Sequence, residues 1–98
     1  MKLWKISQTV NTGYDTYDSA VVAAEDEATA RRMSPSSYYQ WSDGDSRWHS
    51  LNSDGKMDDE PSRCLSWAEE ILSVEVTLIG YAVEGTSAGV IVASFNAG

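Results

Sequence analysis

The chain has a single cysteine and a single histidine among its 98 residues. One cysteine cannot form an intramolecular disulfide, and these two residues alone cannot complete a four-ligand zinc site. Without such cross-links, a chain of this length must be stabilised by an apolar core. Apolar residues make up 42% of the sequence, with four Trp and five Tyr, which is enough for a packed core and argues against global disorder. We expect one folded domain over residues 1–98.

The acidic charge indicates which partners to expect. Fifteen acidic residues against seven basic ones leave a formal net charge of −8, which opposes binding to nucleic-acid phosphates or to anionic lipid surfaces. Two interpretations stay open: the charge keeps the protein soluble and monomeric, or it forms a face for a protein partner with a basic surface, such as a nucleic-acid-binding complex. Five acids without an intervening base are the candidate face: Asp15, Asp18, Glu25, Asp26 and Glu27.

The first 34 residues predict a β-hairpin followed by a short helix. Alternating apolar residues indicate strands near 2–9 and 14–24, joined by turn chemistry at 11–13, with Gln8 breaking the alternation. Asp26 is suited to cap a helix near 26–33. Pro35 then ends that helix by restricting the preceding residue.

The last third predicts two further strands, near 73–82 and 90–95. Residues 66–72 have the composition of one or two helical turns. The segment 90–95 is apolar on both sides, which favours a central strand. The expected fold is α+β, a small antiparallel sheet of about four strands with one short helix, in the order β-β-α-β-β. Its expected core is Leu3 or Trp4, Ile6, Val21, Val22, Ala30, Met33, Val76, Leu78, Val90, Val92 and Phe95.

The segment 35–63 is expected to be a long irregular loop or insertion. It is rich in Ser and Asp, yet four aromatic residues fall within eleven positions: Tyr38, Tyr39, Trp41 and Trp48. These side chains either anchor the loop on the core or form a rigid recognition surface, since Tyr and Trp dominate interface hot spots.

Catalytic and metal-binding patterns are weak. Cys64 and His49 have no third group to orient them, so we interpret Cys64 as a small buried apolar residue and His49 as a surface residue. Residues 50–55 resemble the start of a calcium loop, but position twelve is Pro61 instead of a glutamate, which indicates an ordinary turn at Asp54-Gly55. The sequence predicts no catalytic residue, no metal site and no cofactor, and therefore not an enzyme.

Two stretches carry a resemblance: Gly13-Tyr14-Asp15-Thr16-Tyr17-Asp18-Ser19-Ala20-Val21-Val22-Ala23-Ala24-Glu25 and Gly89-Val90-Ile91-Val92-Ala93-Ser94-Phe95-Asn96-Ala97-Gly98. Together they resemble a group of small acidic proteins of phages, prophages and bacterial genomes, over roughly half the chain. The resemblance implies a mobile-element context and, by analogy, an inhibitor of host defence such as an anti-CRISPR. The alternative is a self-associating viral accessory or structural protein, a homodimer that pairs an exposed edge strand. The N-terminal residues lack the apolar run of a signal peptide, so a cytoplasmic location is expected.

Overall fold

A computed structural model describes residues 1–64 and 66–96 of the chain. Residues 97 and 98, which end the second quoted stretch, lie outside the described residues. The fold is a small α+β fold, as predicted from the sequence. Its elements, within the described part of the chain, are β1 (Lys2–Ser7), β2 (Thr16–Ala24), α1 (Glu27–Arg31), β3 (Tyr39–Ser42), β4 (Arg47–Ser50), β5 (Glu75–Tyr81) and β6 (Gly89–Asn96), with a 3₁₀ turn at Ile71–Ser73.

Four strands form one antiparallel sheet in the order β5-β1-β2-β6, so β1 and β2 are central and β5 and β6 are the edges. Cross-strand pairing defines two faces. The inner face carries rows such as Val76, Ile6, Ala20 and Ala93. The outer face carries rows such as Thr77, Lys5, Val21 and Val92. The core lies on the inner face, since Ile6 and Ala20 are buried there whereas Lys5 and Val92 are exposed.

Helix α1 begins where the sequence predicts and ends earlier. The Asp26 carboxylate accepts a hydrogen bond of 2.8 Å from the Thr29 N–H, which satisfies one of the free donors of the first turn. The N–H groups of Arg32 and Met33 donate to carbonyls three residues back, a 3₁₀-type tightening that closes the helix at Arg31. Ala30, the buried residue of the helix, packs in the core.

Strand β2 begins at Thr16, two residues later than predicted. Asp15 has a φ of 60°, a left-handed conformation that a strand does not accommodate. The Thr16 hydroxyl donates to the Gly13 carbonyl at 2.7 Å and closes the turn. The connection between β1 and β2 is therefore longer than the sequence suggests.

Gln8 holds that connection together. Its buried side chain accepts from the N–H groups of Val10 and Asn11 at 3.0 and 2.8 Å. Its amide group also donates to the carbonyls of Asn11 and Tyr17 at 2.7 and 2.9 Å. The residue that breaks the apolar alternation thus hydrogen-bonds four backbone groups of the connection and of the start of β2.

The prediction that residues 35–63 are irregular is wrong for their central part. Strands β3 and β4 form a two-stranded hairpin in which Trp41 lies opposite Trp48. The Trp48 side chain is 1% exposed, and its indole Nε1–H donates to the Ala68 carbonyl at 2.9 Å. Four-residue strands flanked by Ser and Asp are too short to give a periodic signal, which explains why the sequence hides them.

The helical turns predicted at 66–72 are also wrong for residues 66–70. The Tyr17 N–H donates to the Ser66 carbonyl at 2.9 Å, and the Asn11 side chain donates to the Trp67 carbonyl at 3.2 Å. These bonds hold the segment against the start of β2. Trp67 and Ala68 are consequently buried in the core.

The core overlaps with the prediction only in part. Trp4, Ile6, Val22 and Ala30 are buried as predicted, and Met33 and Val76 pack against them half-buried. The predicted core residues of β5 and β6 are exposed: Leu78, Val90, Val92 and Phe95. The expectation that 90–95 is a central strand is wrong, because β6 is an edge strand: Ala93 packs half-buried against the core, while Val90 and Phe95 stay exposed. In their place, residues from position 48 onward complete the core: Trp48, Cys64, Trp67, Ala68 and Val74.

Gln8→Ala should lower the free energy of unfolding by about 2–4 kcal/mol, because it removes four partly buried hydrogen bonds. Urea unfolding followed by Trp fluorescence measures the change. Gln40→Ala, at an exposed position of β3, is the matched control and should stay within about 0.5 kcal/mol of the parent. A loss at Gln8 no larger than that of the control would show that the amide does not hold the turn.

Candidate interaction surfaces

The five predicted acids do not form one face. Asp15 and Asp18 lie at the start of β2, whereas residues 25–27 follow its end, and all five are exposed. Seven residues of extended chain separate Asp18 from Glu25, about 23 Å at 3.3 Å per residue. The structure places them as two small groups at opposite ends of a strand.

The second acidic group is largely occupied by its own helix. Asp26 caps α1, and its hydrogen bond from the Thr29 backbone lowers the pKa of the carboxyl. Glu27 forms an ion pair of 2.9 Å with Arg31 one turn later. Glu25, the remaining acid of this group, forms no ion pair among the described residues.

Of the four aromatic residues of the middle segment, Tyr38 alone is exposed. Trp48 is a core residue and is not accessible to a partner. Trp41 packs edge-on against it with ring centroids 5.3 Å apart, and Tyr39 packs half-buried on the same core. Core anchoring therefore accounts for these three side chains. Tyr38, 74% exposed, remains available for recognition.

Tyr38 lies at the open end of the β3–β4 hairpin, together with acids that the sequence did not single out as partner-binding. The Tyr38 carbonyl accepts from Leu51 N–H at 2.9 Å, and the Asp58 N–H donates to the Ser50 carbonyl at 2.9 Å. These bonds bring the exposed run Asp58-Asp59-Glu60 to the same end as Tyr38. We call these four residues the hairpin-base patch. Within the described residues its acids form no ion pair.

The loop that returns the chain to this end is an ordinary turn, as predicted. The Asn52 side-chain oxygen accepts from the N–H groups of Asp54 and Lys56, each at 3.0 Å. Gly55 adopts a φ of 78°, which favours glycine. Among residues 1–64 and 66–96 there is no group of three His, Cys, Asp or Glu placed to hold a metal ion.

The other end of the hairpin is tied to α1. The Arg32 guanidinium binds the Asp43 carboxylate at 2.7 Å, and this hydrogen bond lowers the pKa of that carboxyl. The Trp41 indole donates to the same carboxylate at 3.1 Å. These contacts position the hairpin relative to the helix and leave its base directed away from them.

The interpretation of His49 as a surface residue is wrong, since it is only 4% exposed. Its Nδ1 lies 2.7 Å from the Asp58 carbonyl oxygen, and its Nε2 lies 2.8 Å from the Asp45 carboxylate. Both ring nitrogens thus face acceptors, which favours the doubly protonated ring. The bond to the Asp58 carbonyl, reinforced by Asp45 and opposed by burial, raises the pKa of His49 above 6.5. The ring therefore links the hairpin-base patch to the turn of the hairpin.

A cleft of about 490 Å³ lies between the end of β1 and the segment after residue 62. Its lining includes Arg63, Cys64, Trp67, Glu69 and Glu70. Burial raises the pKa of the Cys64 thiol, which keeps it protonated and unreactive at neutral pH. Cys64 is buried, as predicted from the sequence.

Strand β6, one of the two edges of the sheet, exposes several apolar side chains. Four side chains of β6 are between 41% and 59% exposed: Val90, Ile91, Val92 and Phe95. On the outer face of the sheet, Lys5, Val21 and Val92 line a shallow depression. No helix in the described part of the chain is long and apolar enough to span a membrane.

Comparison of the chain with protein-family models, with curated proteins and with solved structures finds no significant match.

Protonation of His49 should stabilise the fold. Because its folded-state pKa is raised, this contribution is complete below the unfolded-state pKa of about 6.5 and is lost as the pH rises through the folded-state value. In the parent, the urea concentration at half-unfolding should therefore decrease as the pH rises above about 6.5. In His49→Gln it should not change over the same pH range. NMR titration of this single histidine should give a midpoint above 6.5, and a midpoint below 6.5 would mean that burial outweighs the two hydrogen bonds.

Proposed function

We propose that the protein is a non-catalytic binding protein that engages a basic surface of a protein partner through the hairpin-base patch. The observation that carries the proposal is the exposed Tyr38 at the same end of the hairpin as three exposed acids, on a hairpin whose other aromatic rings pack inward. Tyr is a frequent interface anchor because it buries a large area at a small cost in conformational entropy. Carboxylates around such an anchor accelerate association with a basic surface.

The dimensions of the molecule favour local competition over imitation of a whole nucleic-acid segment. Its longest extent is 36 Å, and duplex DNA of that length carries about 21 phosphates at one per 1.7 Å. A net charge of −8 falls well below that number. The acids therefore suit a limited basic site better than a complete DNA-binding groove.

The resemblance to small acidic phage and prophage proteins supports one class of partner. This class is a bacterial defence complex that holds nucleic acid on a basic surface, and the corresponding role is inhibition of that complex. Binding at the hairpin base would then exclude a few phosphates from the occupied site.

The test uses two triple variants that both change the formal charge from −8 to −2. One is Asp58→Lys/Asp59→Lys/Glu60→Lys, and the matched control reverses exposed acids elsewhere, at Glu70, Glu75 and Glu84. The partner is captured from a bacterial lysate, purified and studied by surface plasmon resonance at several salt concentrations. The patch variant should associate more slowly and with a weaker salt dependence, whereas the control should bind like the parent. If the two triple variants had the same association rate and salt dependence, the acids of the patch would serve only to keep the protein soluble.

Tyr38→Ala should increase the dissociation rate about tenfold, as truncation of an interface anchor does. Tyr14→Ala is the matched control, because Tyr14 is similarly exposed at 79% and lies outside the patch. The same sensor measures both rates. An unchanged dissociation rate for Tyr38→Ala would show that Tyr38 does not anchor the partner.

A further inference from the structure

The buried ring of His49 contacts the backbone of the hairpin-base patch. Its Nδ1 lies 2.7 Å from the carbonyl oxygen of Asp58, the first residue of the acidic run Asp58-Asp59-Glu60. On the other side of the ring, Nε2 lies 2.8 Å from the Asp45 carboxylate. A carbonyl oxygen and an ionised carboxylate accept hydrogen bonds and do not donate them. The doubly protonated ring can therefore make both bonds at once, whereas the neutral ring, with a single N–H, can make one of them.

We expect the neutral ring to keep the bond to Asp45. A hydrogen bond to a carboxylate is stronger than one to an uncharged carbonyl oxygen. The Asp45 carboxylate is also held in place by the Arg47 N–H, which donates to its other oxygen at 3.1 Å. With the proton on Nε2, Nδ1 presents a lone pair to the Asp58 carbonyl oxygen, and the contact between them changes from a hydrogen bond to a repulsion.

The acidic run is held at its two ends and has few other contacts. The Asp58 N–H donates to the Ser50 carbonyl, and the Ser62 N–H donates to the Trp48 carbonyl, both at 2.9 Å. Within residues 1–64 and 66–96, residues 59–61 form no hydrogen bond. Loss of the bond from His49 therefore frees the peptide group that joins Asp58 to the rest of the run.

We propose that His49 is a pH-sensitive switch of the hairpin-base patch, whose charged form holds the acidic run in place for the partner and whose neutral form releases it. This inference rests on the proposed function of the patch. A released run has to be ordered again on binding, and that loss of conformational freedom weakens the affinity. Binding to a basic partner is therefore strongest while the ring is charged and weakens as the ring loses its proton.

The groups around the ring place this change near neutral pH. The bond to the Asp58 carbonyl is the largest influence in favour of the charged ring, and the Asp45 carboxylate in the hairpin turn adds to it. Burial and the Arg47 guanidinium, on β4 itself, oppose it. On β3, the residue opposite the ring is the uncharged Gln40. Together these influences raise the pKa of His49 above 6.5, so small changes around neutral pH alter the charge of the ring.

The first experiment follows the free protein by NMR from about pH 6 to about pH 8.5, a range that spans the titration of a histidine with a raised pKa. Long-range ¹H–¹⁵N spectra of the ring identify which nitrogen keeps its proton at high pH, and we expect Nε2. Order parameters of the Cα–H groups of residues 58–60 should decrease over the same titration, with the same midpoint as the ring. A neutral ring protonated on Nδ1, or a run whose order does not change, would overturn the proposal. Neither measurement requires a variant.

The second experiment measures the affinity for the captured partner at the two ends of this pH range and at constant ionic strength. The parent should bind about three- to tenfold more weakly at the higher pH, as expected for ordering a short run of side chains. His49→Gln is the control for titration of the partner itself and should lack this additional loss. By linkage, the bound partner should also raise the pKa of His49 in the parent.

The outcomes separate the switch from the function of the patch. An equal change of affinity with pH in the parent and in His49→Gln would overturn the switch and leave binding at the patch intact. If the triple variant at Asp58, Asp59 and Glu60 bound like its control, the proposed function would fail, and the role of the switch in binding would fail with it. The NMR measurements on the free protein would still decide whether His49 holds and releases the run.

Discussion

The fold depends on burial of the Trp48 side chain beneath a segment that comes about twenty residues later. Its indole N–H donates to the Ala68 carbonyl, and both Trp48 and Trp67 belong to the cluster that covers Ile6 and Val22. A buried aromatic side chain removes about 150–250 Å² from water, which corresponds to about 4–6 kcal/mol at 25 cal/mol per Å². That amount is comparable to the whole stability of a domain of this size. The hairpin is therefore part of the core.

This way of covering the sheet also determines which surfaces stay free. The hairpin and the Trp67 segment pack over the two central strands, while β6 extends beyond them with its valines exposed. Fixing the hairpin to α1 through Arg32 and Asp43 leaves its base in solvent, with Tyr38 and the acids there. Both candidate surfaces are thus consequences of where the cover ends.

The sequence predicted the parts of the fold that have a period. Strands β1, β2 and β5 and the Asp26 cap follow from alternation and from capping preferences, and they are confirmed within a few residues. The hairpin was missed because four-residue strands carry no periodic signal. Of its two buried residues, Trp48 is contacted by Ala68, twenty residues later, and His49 by Asp45 and by the returning loop at Asp58. The position of β6 was wrong for another reason: apolar residues on both sides of a strand favour burial of both its faces, whereas β6 is an edge strand with Val90, Val92 and Phe95 exposed. The placement of Tyr38 and Asp58 at the same end of the hairpin depends on a returning loop, which residue types alone do not reveal.

The central claim is that the hairpin is an integral part of the core, and hydrogen exchange of two indole protons tests it directly. The Nε1–H of Trp4 donates to the Ala24 carbonyl within the sheet, and that of Trp48 donates to the Ala68 carbonyl beneath the hairpin. If the hairpin is integral to the core, both protons exchange only through global unfolding and report the same free energy of opening. A Trp48 proton that exchanges through a local opening of clearly lower free energy than that of Trp4 would contradict the account.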